Sequence, residues 1–177
     1  MPRYPEVDTT VDYFFFANQP YVLMRSRLRF VQDLYVRVMR NGELVFAPDL
    51  FTHVAVRSDD GAIHTAEINA DGPLDFPATP DDPWLAVYNP ETGVGIATIR
   101  LAVRNHGPDG ADPVLVDYRM SVARHTSNPR YSFLQWDRVL IWPEGEPPGK
   151  ATPTKVPTGC AYYEEEAWYP FHLAGDP

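Results

Sequence analysis

Leu34-Tyr35-Val36-Arg37-Val38-Met39-Arg40-Asn41-Gly42-Glu43-Leu44-Val45-Phe46 sets two alternating apolar runs on either side of an Asn-Gly pair. Alternation with a period of two is the signature of a strand with one buried face. A type I′ turn needs positive φ at both central residues, and Asn-Gly adopts it at low cost. The spacing therefore predicts a hairpin in which Leu34 to Arg40 pairs with Glu43 to Ala47, and an antiparallel β protein around it.

The same texture continues outward. Val11 to Phe16 and Tyr21 to Val31 read as strands separated by Pro20. Phe51 to Arg57 and Ala62 to Ile68 flank Ser58-Asp59-Asp60-Gly61, a second hairpin signal, and Trp84 to Asn89 and Val94 to Arg104 flank Pro90-Glu91-Thr92-Gly93, a third. Val114 to Ala123, Tyr131 to Trp142 and an aromatic segment from Cys160 to Phe171 complete the series. No segment repeats apolar residues at helical spacing, and 19 prolines suit short strands joined by stiff loops. About ten strands require two packed sheets or a closed barrel. The expected fold is all-β, a single antiparallel two-sheet β-sandwich domain over residues 1–177, with a closed β-barrel as the alternative.

Composition narrows the function. With 177 residues and 44% hydrophobic content the chain builds one core. The net charge of −9 argues against a nucleic-acid partner. A single cysteine, Cys160, allows neither an intrachain disulfide nor a cysteine-based metal centre. No apolar stretch approaches the ~18 residues of a membrane span, so the expectation is a cytoplasmic protein without membrane contact. Triads, phosphate loops and dinucleotide fingerprints are absent from the sequence, and no cofactor or metal is expected.

Of the 15 basic residues all but Lys150 and Lys155 are arginine, and they fall at strand spacing. Arg25, Arg27 and Arg29 point one way on their strand; Arg100 and Arg104 share a parity with Thr98 and Ala102; Arg119 alternates with Met120. Gathered on one sheet they would form a cationic hollow, because guanidinium forks hold carboxylates and hydroxyls. The alternative is a solvated face balanced by the 24 acids. His53 and His64 lie on strands joined by one turn and near cross-strand register, and either imidazole is poised for general-base work near neutrality. His106 and His125 sit in or beside loops. Within Glu164-Glu165-Glu166 the outer two share a face, read as a solvated edge with an acid–base or cation role behind it.

Arg40-Asn41-Gly42-Glu43 through Phe46, Phe51-Thr52-His53, Pro83-Trp84-Leu85-Ala86 and Gly93-Val94-Gly95-Ile96-Ala97 together resemble the galactose-mutarotase-like and polysaccharide-lyase-like β-sandwiches. The resemblance covers Leu34 to Val103. It implies a supersandwich with a sugar-binding concave face and chemistry by His, Tyr, Arg or Glu upon it, with His53 as the residue carried over.

These readings combine into one expectation: a carbohydrate-binding or carbohydrate-active protein, whose enzymatic form is a lyase, epimerase or isomerase. Arg100, Arg104, Arg119 and Trp84 would hold the saccharide, His53 or His125 would move a proton, and Tyr131 would assist. Proton abstraction beside a carboxylate needs such cations to stabilise the enolate-like charge. A non-catalytic binding module using the tryptophans, and a barrel holding an apolar molecule near Tyr13 to Phe16, are the other two classes. Long strands leave edges to cover, so a homo-oligomer is also expected.

Overall fold

A computed structural model describes residues 5–58, 60–69, 72–74, 83–114, 119–126, 133–141 and 152–173, with backbone alone at 40–42, 72–73, 119–121 and 133–141. The strands in chain order are β1 (Val7–Phe15), β2 (Val22–Phe30), β3 (Leu34–Val36), β4 (Met39–Phe46), β5 (His53–Arg57), β6 (Ile63–Glu67), β7 (Gly72–Pro73), β8 (Trp84–Tyr88), β9 (Val94–His106), β10 (Arg119–His125), β11 (Phe133–Ile141), β12 (Thr154–Val156) and β13 (Ala161–His172). A seven-stranded antiparallel sheet runs β1-β2-β13-β9-β8-β5-β6, and two smaller sheets, β4-β11-β10-β7 and β12-β3, pair separately.

The result is the expected all-β, antiparallel β-sandwich. One core cluster packs Val54, Val56, Leu85 and Val87 of the large sheet against Val122, Leu44 and Phe46 of the four-stranded sheet. A second packs Phe30 and Tyr162 of the large sheet against Val156, Leu34 and Val36 of the two-stranded one. Each fully buried aliphatic side chain of this kind contributes about 1.5–3 kcal/mol. Among the described residues the large sheet does not close on itself: β1 and β6 are its edges, so the barrel alternative fails. Among the described residues no helix is long and apolar enough to cross a membrane.

The hairpins at Ser58 to Gly61 and Pro90 to Gly93 form, joining β5 to β6 and β8 to β9. Gly61 and Gly93 supply the positive φ these turns need, at 84° and 73°. In the first, Asp60 Oδ1 accepts from Ser58 Oγ at 2.7 Å and from the Ala62 amide at 2.9 Å.

The Asn41-Gly42 hairpin does not form. Both residues lie inside β4, which pairs with β11, whereas Leu34–Val36 pairs with β12. The alternating run thus serves two sheets, divided at Arg37 and Val38. Between the pairs Trp136–Leu44 and Arg138–Asn41 the register slips, leaving one extra residue on β4. A β-bulge absorbs such a residue and tolerates Gly where a plain ladder would not favour it. The predicted type I′ turn is therefore overturned: pairing with β11 over a long sequence separation outweighs the local preference of Asn-Gly for a turn.

One polar clip ties β12 and the turn after it to the β2–β3 connection. Asp33 Oδ1 accepts from the Thr158 amide at 2.9 Å and its hydroxyl at 3.1 Å, while Oδ2 meets Lys155 Nζ at 2.7 Å. Lys155, then Thr158, pull the Asp33 carboxyl down to about 2. A depressed carboxylate stabilises the fold above its unfolded value and loses that contribution as pH falls through its folded one. The Thr158 amide proton resonance is therefore expected to be constant from neutrality to about pH 4 and to titrate with a midpoint near 2. Asp33→Asn should abolish the titration; a midpoint near the ordinary aspartate value would disprove the clip.

Candidate functional site

The outward face of the large sheet, turned away from both small sheets, carries the candidate site. Alternation places Arg25, Arg27 and Arg29 of β2 outward, opposite the buried Met24, Ser26 and Phe30. Across β13 they meet Glu165, Tyr163 and Ala161, and across β1 they meet Asp12, Thr10 and Asp8. Arg104 on β9 faces Tyr163 from the other side. The guanidinium of Arg104 lies 5.7 Å from the Tyr163 ring centroid and that of Arg25 lies 5.0 Å from the Phe14 ring.

At the centre of this group Glu165 Oε2 accepts from Arg25 Nε at 2.7 Å and from the Tyr163 hydroxyl at 2.8 Å. Arg25 first, then Tyr163, hold the Glu165 carboxyl below the usual carboxylate range. The same hydrogen bond raises the Tyr163 phenol, since its proton is shared with an anion. Beside them a polar depression of about 150 Å³ opens between Asp12, Arg25, Arg27 and Tyr163.

Further along the same face the lining becomes apolar. Ala55, Ala86 and Ala97 from three adjacent strands make a low floor, and Trp84, Tyr88 and Phe171 rise around it, enclosing about 410 Å³. Ile99 is shared with a neighbouring hollow of about 370 Å³ between Tyr21, Leu23, Leu101, Ala167 and Tyr169, which ends at Glu165. Phe171 can lie across the sheet because its partner is Gly95, where a Cβ would collide with the ring. One trough thus runs from aromatic walls to guanidiniums.

The structure places His53, Trp84 and Arg104 on this face. The imidazole of His53 stands 5.4 Å from the Tyr88 ring at the trough's far end, with Nδ1 2.9 Å from Thr52 Oγ1. Yet Arg104 lies nine residues along β9 from Gly95, the position beside Tyr88. At about 3.3 Å per residue that is ~30 Å, too far for His53 to act on a group held by Arg104.

The other proposed residues go elsewhere. Arg100 and Arg104 do not share a face: β13 pairs Glu165 with Ala102 but Glu166 with Arg100, so Leu101 is an extra residue that flips the parity. Arg100 consequently faces inward with Glu166. Arg119 and His125 belong to β10 in the four-stranded sheet, opposite Val139 and Phe133. Tyr131 lies outside the described residues. His53 and His64 are not register partners; His53 pairs with Glu67 and His64 with Val56, on opposite faces.

The acidic run also differs from its expected solvated edge. Glu164 and Glu166 are 2% and 0% exposed, on the inward face that carries Tyr162. Trp168 Nε1 donates to Glu166 Oε2 at 3.1 Å. Only Glu165 faces out. Alternation indicated the division correctly, but which side another sheet covers is a long-range fact. Among the described residues no three of His, Cys, Asp and Glu gather closely enough to hold a metal ion.

No family model and no curated protein matches this sequence. Among solved structures the chain is similar to the Slr1438 protein from Synechocystis sp. PCC 6803, with TM-score 0.45 and 10% identity over 94% of this chain and 55% of that one. The chain therefore spans about half the length of that protein.

Proposed function

We propose that the outward face of the large sheet binds a carboxylate-bearing oligosaccharide, as a binding surface without its own proton-transfer chemistry. The observation that supports this reading is the continuity of an open, aromatic-walled trough with a cluster of arginines on one sheet face. Sugar rings present apolar C–H faces that lie on aromatic platforms such as Trp84, Tyr88 and Tyr169. A carboxylate at one end suits the forks of Arg25, Arg27 and Arg104. A surface about 30 Å long suits several rings in a row. The separation of His53 from Arg104 favours binding over the lyase or isomerase form.

Isothermal titration is expected to show binding of a short uronate oligosaccharide and weaker binding of its neutral counterpart. Trp84→Ala should weaken the uronate complex about tenfold, as removal of a central aromatic anchor typically does. Equal affinity of wild type and Trp84→Ala for the uronate would overturn the placement.

The alanine floor favours a second reading, an apolar ligand lying in the 410 Å³ hollow. Tight binding of dodecanoate or a hydrophobic dye, lost in Ala86→Trp and without any saccharide affinity, would select it.

A further inference from the structure

We propose that two copies of this chain pair edge to edge through β1, joining their large sheets into one. β1 is a terminal strand of the seven-stranded sheet, nine residues long, with Val11, Tyr13 and Phe15 exposed by 44%, 52% and 77%. Edge strands are normally blunted by charged side chains (lysine above all), proline, a bulge or short length. β1 has no lysine, proline or bulge: its sequence is Val-Asp-Thr-Thr-Val-Asp-Tyr-Phe-Phe, and its pairing with β2 is unbroken from Val7 to Phe15. Its two charges, Asp8 and Asp12, select among registers rather than block pairing. The opposite edge, β6, has only five residues.

The occupant is fixed by the strand's own pattern. A two-fold axis perpendicular to the sheet keeps outward residues outward, so only registers centred on a residue are allowed. Centred on Val11, all nine residues pair. Val7 then faces Phe15, Thr9 faces Tyr13, and Val11 faces itself on the inward side; Asp8 faces Phe14 and Thr10 faces Asp12 on the outward side. The neighbouring registers are penalised, because centring on Thr10 opposes Asp8 to Asp12 and centring on Asp12 opposes it to itself. Centring on Thr9 or Tyr13 avoids the like charges but pairs only five of the nine residues, so a second copy of this chain fits β1 best in the Val11 register. The two β2 strands would stand three strand spacings apart, about 14 Å, placing both arginine rows on one continuous face. The dimer stands or falls independently of what that face binds.

The test is a cysteine at the axis of the full-length chain. Directly opposed residues of an antiparallel pair have Cα atoms about 4.5–5.5 Å apart, within disulfide range, whereas diagonal ones lie about 7–8 Å apart. Under mild oxidation Val11→Cys is expected to give a reducible covalent dimer, and Thr10→Cys to give little. Cys160 is fully buried and should not compete. Sedimentation equilibrium then reads the register in reversible form. Thr10→Asp sets two aspartate pairs across the seam and should weaken the dimer about three- to tenfold, while Thr10→Lys creates two opposite-charge pairs and should not. Within one copy Thr10 stands opposite Arg27, so the aspartate is tolerated by the monomer. A monomeric wild type at 100 µM (about the upper end of ordinary assays, corresponding to ~5 kcal/mol), equal shifts from both Thr10 variants, or Val11→Cys cross-linking no faster than Thr10→Cys would each overturn the proposal.

Discussion

Tyr162→Ala is expected to lower the unfolding free energy by about 3–5 kcal/mol, in line with other removals of a fully buried aromatic ring. Tyr162 is 0% exposed and holds together the cluster that fastens the two-stranded sheet to the large one. Its ring meets Phe30 edge-on, with centroids 6.0 Å apart and planes at 76°, the geometry preferred by aromatic quadrupoles. Its hydroxyl donates to the Val114 carbonyl at 2.6 Å, anchoring the segment after β9. Burial pushes the phenol's ionisation up, so it remains a donor at every ordinary pH. Tyr162→Phe separates the two contributions: it keeps the ring and orphans the carbonyl, at about 1–3 kcal/mol. Urea unfolding should show the denaturation midpoint falling in the order wild type, Tyr162→Phe, Tyr162→Ala, with the slope unchanged. A Tyr162→Ala midpoint equal to that of wild type would show that this cluster does not hold the small sheet.

Local chemistry made the strands and two turns legible. The Gly61 and Gly93 hairpins were readable because each needs only a positive φ and a few Asx contacts within six residues of chain. Asn41-Gly42 satisfied the same local criterion, yet β11, about ninety residues away in sequence, captured Met39–Phe46 as a ladder partner and turned the pair into a bulge. The face assignments failed for a related reason. Parity counting assumes an unbroken pleat, and one extra residue at Leu101 reversed every position from Arg100 back to Val94 relative to Arg104. Glu164 and Glu166 were correctly placed on one face, but their burial depends on which sheets pack there, and no residue within the run encodes that. Of the proposed site, Trp84, His53 and Arg104 reached the outward face; the cluster of Arg25, Tyr163 and Glu165 was missed. The cross-strand pairing of β2 with β13, which no local pattern announces, creates it.

Glu165→Gln is expected to tighten the binding of a carboxylate ligand about three- to tenfold. In the protein as it stands, Glu165 already occupies the Arg25 fork and the Tyr163 hydroxyl that such a ligand would use. The amide keeps the shape and can still accept from Tyr163, but it removes one negative charge from beside the incoming carboxylate. Two unit charges about 4 Å apart in water repel by ~1 kcal/mol, which sets the size of the gain. The fold should tolerate the change, because the Arg25 and Glu165 side chains are 44% and 19% exposed and pairs of this kind contribute about 0–1 kcal/mol. Arg25 holds the Glu165 carboxyl low, so the native residue stays charged and competes throughout the ordinary pH range. The advantage of the glutamine should therefore persist at pH 5. It should disappear as pH falls far enough to protonate either Glu165 or the ligand's carboxylate, since the repulsion needs both charges. Raising salt should shrink it, since the charges are partly screened. Arg25→Ala provides the opposite sign, with weaker binding at every pH. Titrations in which Glu165→Gln binds a uronate no better than wild type at low salt would place the carboxylate away from Arg25 and remove the polar end of the proposed site.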